Sequence, residues 1–153
     1  MRRAEPWKRL LPMECHVTTP VWVLVLSVLL ALAFAATALG KALDIVGFAL
    51  ILHDYRLFPD ASLMPLALGV VGLECAIAVG LLRSSTRAMA AGAAMLLAAG
   101  NGLVLAVTLW RGIALDNCGC FGVFLARPLM VYSPLEDLLL IFLVWLVRQE
   151  ALR

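Results

Sequence analysis

The chain is 153 residues long, 64% hydrophobic and only 14% charged, with a formal net charge of +2 and a mean hydropathy of +1.02. Soluble domains average about 45–50% apolar and about 25% charged residues, so one small core cannot hide this much apolar surface and the bilayer is the expected solvent. The small charge, with no basic stripe between aromatic residues, excludes a nucleic-acid binder, and four scattered cysteines in so apolar a chain do not make a loop-rich disulfide framework.

Residues 1–16 hold Arg2, Arg3, Lys8 and Arg9 and are expected to form a cytoplasmic segment. Crossing the hydrocarbon takes about 20 mostly apolar residues. Val17 to Gly40 is such a run, without charge, and Lys41 closes it. Ala33-Phe34-Ala35 within it resembles a signal-peptide cleavage site. The run is long for a signal h-region and continues past that site, which favours a retained helix over loss of residues 1–35. In the loop that follows, Phe48, Leu52 and Tyr55 fall at helical spacing, predicting a short helix on the membrane surface with Tyr55 as an interfacial anchor.

The second apolar stretch runs from 61 to 82, interrupted by Glu74, and the third from 88 to 110, charge-free with one amide, Asn101. The fourth, about 131–147, is weaker: Glu136 and Asp137 lie near its start, and Pro134 marks either a helix start or a kink. These segments predict an all-α fold, a single four-helix membrane bundle over 17–148. Its helices are expected at about 17–41, 61–82, 88–110 and 131–147, with outer loops at 42–60 and 111–130. Rows of small residues (Gly72, Ala76 and Gly80; Ala90, Ala94, Ala98 and Gly102) have the spacing that lets membrane helices approach closely.

Basic residues set the orientation. Arg2, Arg3, Lys8, Arg9, Arg83, Arg87, Arg148 and Arg153 fall on one side, and only Lys41, Arg56, Arg111 and Arg127 on the other. Both termini are thus predicted to be cytoplasmic, in a cell membrane whose outer face carries the two longer loops.

The second of those loops contains Asp116-Asn117-Cys118-Gly119-Cys120-Phe121-Gly122. Residues two apart can bring their Cα atoms within the roughly 4.4–6.8 Å a disulfide needs, and Gly119 supplies the backbone freedom to close so small a ring. A strained disulfide is more easily reduced than a structural one, and so short a loop adds little stability. Cys118 and Cys120 therefore read as a redox pair in an oxidising compartment, activated or not by neighbours such as Arg111 and Arg127. The same thiols, with His53, would also suit a soft ion such as Cu(I), Zn or Hg(II), although a closed zinc site needs four ligands. Cys75 reads as a small buried hydrophobe, and Cys15 lies on the opposite side of the membrane from the pair.

A carboxylate inside a membrane helix is a functional candidate by default. Counted from the cytoplasmic end, Glu74 lies roughly 13 Å deep and Asn101 roughly 20 Å, and the two are expected to share a hydrogen bond. A helix-packing role for Glu74 and a proton relay both remain open.

Gly40-Lys41-Ala42-Leu43-Asp44, then Phe48, Tyr55, Pro59 and Glu74, then Arg111-Gly112 leading to Cys118-Gly119-Cys120-Phe121-Gly122, together resemble the MauE family, a branch of the DoxX-like four-helix membrane proteins. The chain departs from the family's pattern at Thr108, where asparagine is frequent, and at Glu136-Asp137, where an Arg-Asn pair often opens the last helix. The resemblance implies a thiol-disulfide function with catalytic Cys118 and Cys120, supported by Gly119, Glu74, Lys41 and Arg111, and Asn101 joins the supporting set through its expected bond to Glu74. It implies an extracytoplasmic thioredoxin-like partner (MauD-like) and, in methylamine utilisation, maturation of the disulfide-rich small subunit of an amine dehydrogenase.

Three function classes follow: a disulfide oxidoreductase acting with that partner, a soft-metal module, and a non-catalytic subunit holding a redox complex. Beyond the redox-active disulfide, a quinone is the one cofactor to weigh. Oxidases that feed quinone usually carry a second cysteine pair near it, and only Cys75 is available, so a partner-dependent relay is expected.

Overall fold

The computed structural model describes residues 19–153. The basic N-terminal segment and Cys15, to which the expectations for residues 1–16 apply, lie outside that range. The described residues form five helices and no strand: α1 (Val21–Ala42), α2 (Ile45–Asp54), α3 (Asp60–Leu82), α4 (Arg87–Trp110) and α5 (Ser133–Ala151).

Helices α1, α3 and α4 are long and apolar enough to cross a membrane. They expose large apolar side chains on the outside of the bundle, among them Leu32, Leu68, Leu96, Leu103 and Trp110. A belt of that extent belongs against lipid rather than water. Helix α5 has 19 residues and falls short of that composition, because acidic residues open it and Arg148, Gln149 and Glu150 close it. Pro134 stands in its first turn, so the proline starts this helix and does not kink it.

The principal packing pairs are α4 on α5 and α1 on α3, with α3 also touching α4 and α2. At one end of the bundle Val23, Leu30, Phe34, Ile77, Leu81, Ala91, Ala94, Val144 and Val147 form a continuous core. The turn between α3 and α4 is tight: a Cβ on Gly80 would come within 2.7 Å of the Ala90 Cβ. Arg87 is buried and its Nε donates to the Leu81 carbonyl at 3.1 Å, satisfying an acceptor left free by the end of α3. The small residues Ala90, Ala94 and Ala98 of α4 are buried in this packing. The row on α3 behaves differently: Gly72 and Ala76 are exposed, and only Gly80 meets a neighbour.

The short helix α2 exists, with one face packed on protein and Val46 and Leu50 exposed on the other. Asp44 caps it, its side chain accepting from the Gly47 N–H at 2.8 Å. Phe48, Ala49 and Ile51 are buried, and Phe48 and Ala49 pack with Leu63 and Ala67 of α3. The stripe read as a membrane-facing anchor faces protein.

Candidate functional site: a thiol pair over an internal cavity

The loop between α4 and α5 folds back onto the junction of α1 and α2. Two glycines make this possible. Gly122 has a φ of +76°, and a Cβ on it would collide with the Gly40 carbonyl; a Cβ on Gly40 would collide with the Phe121 carbonyl in turn. Backbone meets backbone here, and side chains are excluded. Gly119, between the cysteines, has a φ of +72°, and any side chain on it would press on Ile51 and Phe48.

Hydrogen bonds then fix the turn. Asn117 Oδ1 accepts from the Gly119 N–H at 2.9 Å, and Asn117 Nδ2 donates to the Gly122 carbonyl at 3.1 Å. The Cys118 N–H donates to the Arg127 carbonyl at 2.8 Å. Tyr55 is 2% exposed, and its hydroxyl donates to the Cys118 carbonyl at 2.6 Å. The residue expected to anchor at a membrane interface instead holds the cysteine turn.

Lys41 holds the other side. Its Nζ donates to Glu74 Oε1 at 2.8 Å, to Glu74 Oε2 at 3.0 Å and to the Cys120 carbonyl at 2.8 Å, which uses all three of its protons. The ammonium also sits 5.6 Å from the centre of the Phe48 ring. Both partners of the ion pair are buried, the lysine 4% and the glutamate 7% exposed. Glu74 therefore pairs with Lys41, and the expected Glu74–Asn101 hydrogen bond does not form. Asn101 Nδ2 donates to Asp137 Oδ2 of α5 at 2.9 Å.

Cys118 and Cys120 are free thiols with their sulfurs 3.0 Å apart. The hydrogen bond from the Cys120 thiol is the chief influence on Cys118, and burial opposes it. With the Cys120 backbone N–H and the charge of Arg127 assisting, the Cys118 thiol drops to about 6. Cys120 moves strongly upward through that same hydrogen bond and through burial. The pair thus has one sulfur poised as thiolate and one that keeps its proton. Arg127 in turn bridges to Glu136 at 2.8 and 3.2 Å. Arg111 takes no part in this: its Nη1 donates to the carbonyls of Tyr55 and Arg56 at 3.2 and 3.1 Å, tying the end of α4 to the end of α2. Cys75 is exposed on α3 and is not the buried hydrophobe its surroundings suggested.

Beneath the turn lies a cavity of about 730 Å³ lined by Cys118, Gly119, Cys120, Lys41, Glu74, Asn101 and Asp137 together with apolar side chains of α1 to α5. Its volume is that of a small-molecule site, typically about 300–1,000 Å³. His53 stands apart, exposed beside Asp54 and Asp60, on a separate shallow hollow with Asp116 and Asn117. Among the described residues no three His, Cys, Asp or Glu side chains gather as metal ligands.

Sequence reasoning passed over Asn117, Asp137 and the positioning role of Tyr55. Asp137 was open to the rule that singled out Glu74, a carboxylate in an apolar segment. Asn117 carried no signal beyond its place beside Cys118.

The fold and site define a polytopic helical membrane protein with a loop-borne thiol pair closing an internal cavity. Residues 19–148 match the family model described as "Methylamine utilisation protein MauE", and the chain belongs to that family. It is 33% identical over 121 residues to the methylamine utilization protein MauE of Paracoccus denitrificans, covering 79% of this chain and 65% of that relative. It is 32% identical over 108 residues to its counterpart in Methylophilus methylotrophus, covering 71% of this chain and 57% of the relative. The matched regions thus span about three-fifths of the relatives' length. No solved structure matches.

Proposed function

We propose that this chain is a membrane thiol-disulfide exchange protein that crosses the bilayer four times, with both termini in the cytoplasm. Cys118 and Cys120 then work on the periplasmic or extracellular face of the cytoplasmic membrane. The exchange partner is a thioredoxin-like protein, and the pair supports maturation of a secreted disulfide-containing enzyme. Methylamine utilisation, the process in the relatives' names, makes an amine dehydrogenase subunit the candidate client. The observation that carries the reading is the thiol pair itself: two sulfurs 3.0 Å apart, unequal in acidity, on a turn held rigidly from both sides.

In the oxidising direction a partner thiolate attacks the Cys118–Cys120 disulfide at Cys120, and Cys118, the more acidic sulfur, leaves as thiolate. The partner's second thiol then releases the mixed disulfide. The partner loses two electrons and two protons; the pair takes both electrons and one proton, on Cys120, and the other proton goes to solvent.

Gel-shift alkylation of intact cells with an impermeant maleimide, before and after mild reduction, tests this. Two thiols should become reactive only after reduction, and a Cys118→Ser/Cys120→Ser variant should fail to mature the client. In the reduced protein the alkylation rate should rise with pH through about 6, because only the thiolate attacks and Cys118 ionises there. A pair that never oxidises, or a rate that climbs only in the range of an ordinary thiol, would sink the reading.

A further inference from the structure

The cavity raises a question that thiol exchange leaves open: where the electrons taken from a partner go. Cys118 and Cys120 are both part of the cavity wall, so no second cysteine pair is needed to carry electrons from the loop into the membrane domain. The wall also includes Leu73 of α3 and Leu96 of α4, and both leucines are exposed on the bundle surface as well. The cavity wall thus carries exposed apolar side chains of two membrane-crossing helices, which gives a lipid-soluble ligand an apolar way in, and half-exposed Glu136 lies in the same wall at the polar end. Among its apolar side chains a few polar groups converge. Lys41 has spent all its protons, but Asn101 donates only one N–H to Asp137 and keeps a second.

We propose that this cavity binds a membrane quinone that re-oxidises the Cys118–Cys120 pair. A quinone fits by its chemistry: a flat, apolar two-electron carrier dissolved in the bilayer, with carbonyls for the spare Asn101 N–H and a tail that leaves between α3 and α4. The step balances. Two electrons pass from the Cys118 thiolate and the Cys120 thiol to the ring as the S–S bond closes. The Cys120 proton and one solvent proton, equal to the one Cys118 released on ionising, complete the quinol.

The inference rests on the thiol-exchange reading, and the experiment separates them. Full-length protein is reduced, placed in phosphatidylcholine nanodiscs under argon, and mixed with decylubiquinone or a fully substituted short-chain menaquinone. Free thiols and quinol are both counted. One quinol should form for each disulfide closed with at least one of the quinones, and none in the Cys118→Ser/Cys120→Ser variant. Gly100 lines the cavity, and a Cβ built there meets nothing within 4 Å. Gly100→Phe should therefore lose quinone-driven closure while keeping its melting transition. Oxidised glutathione serves as the second oxidant. If glutathione closes the pair and neither quinone does, the quinone site is wrong and thiol exchange stands. Quinone-driven closure that survives in Gly100→Phe also overturns the site. If neither oxidant closes the pair, the reading beneath it falls too.

Discussion

The two ends of this bundle are built on different physics. The end holding the α3–α4 turn is closed: Ile77, Leu81, Ala91, Ala94, Val144 and Val147 are all at or near zero exposure. Its only buried side-chain oxygen or nitrogen without a partner, among the described residues, is Ser27 Oγ. The opposite end is held by directed hydrogen bonds to carbonyls, by one buried ion pair, and by glycines that let backbones touch. It borders the cavity of about 730 Å³. Packing makes a rigid frame, and the open end uses that frame to present a glycine-shaped turn and a cavity. The proposed site sits where the packing stops.

The largest expected effect probes the polar tie at the open end. Lys41→Met leaves Glu74 buried and unpaired, a loss of about 3–5 kcal/mol for a broken buried pair, read as a lower melting transition in nanodiscs. Lys41→Met/Glu74→Leu removes both charges and should recover most of that stability. It should not recover thiol chemistry, since the Cys120 carbonyl still loses its anchor. A double variant with normal stability and normal exchange would show that the ion pair only glues helices and does not position the turn.

Overpacking separates the two ends next. Ala94 is fully buried, so Ala94→Leu should destabilise by about 1–3 kcal/mol. Gly100, six residues along the same helix, faces open space, and Gly100→Leu should be neutral or stabilising by up to about 1 kcal/mol through helix propensity alone. Equal losses at both positions would mean that the cavity closes around its contents and is not standing space.

How much of this was legible in the sequence depends on what each feature needed. Uncharged runs flanked by Lys41, Arg83 and Trp110 marked the ends of α1, α3 and α4 to within a few residues, because lipid demands length and apolarity of one segment at a time. The Cys-Gly-Cys element was visible for the same reason: it lies in three adjacent residues, and the chemistry proposed for it needs no distant partner to be noticed. Partnerships were not. Glu74 and Asn101 were matched by depth along their helices, but depth says nothing of which way around a helix a side chain points. Glu74 turns toward Lys41 and Asn101 toward Asp137. Helical spacing in Phe48, Leu52 and Tyr55 revealed a face without revealing what covers it. The small-residue row on α3 misled because small residues mark a surface that can be approached, not one that is. The cavity had no sequence signal at all, being a property of how five helices fail to fill the space between them.

The smallest expected effect tests the closed end on its own terms. Ser27 is 1% exposed, and its hydroxyl bonds to nothing. An unsatisfied buried polar group costs about 1–3 kcal/mol, and the void left by the deleted oxygen offsets part of the gain from removing it. Ser27→Ala should therefore raise the melting transition slightly, by the equivalent of no more than about 1 kcal/mol. Thiol alkylation and quinone reduction should not change. Asn101→Leu, an equally modest polar deletion at the open end, strands Asp137 and takes away the donor aimed into the cavity, so it should lower both stability and quinone turnover. If Ser27→Ala instead destabilises the protein, the hydroxyl has a partner in the membrane and the closed end is not held by packing alone. The division of labour between the two ends would then have to be redrawn.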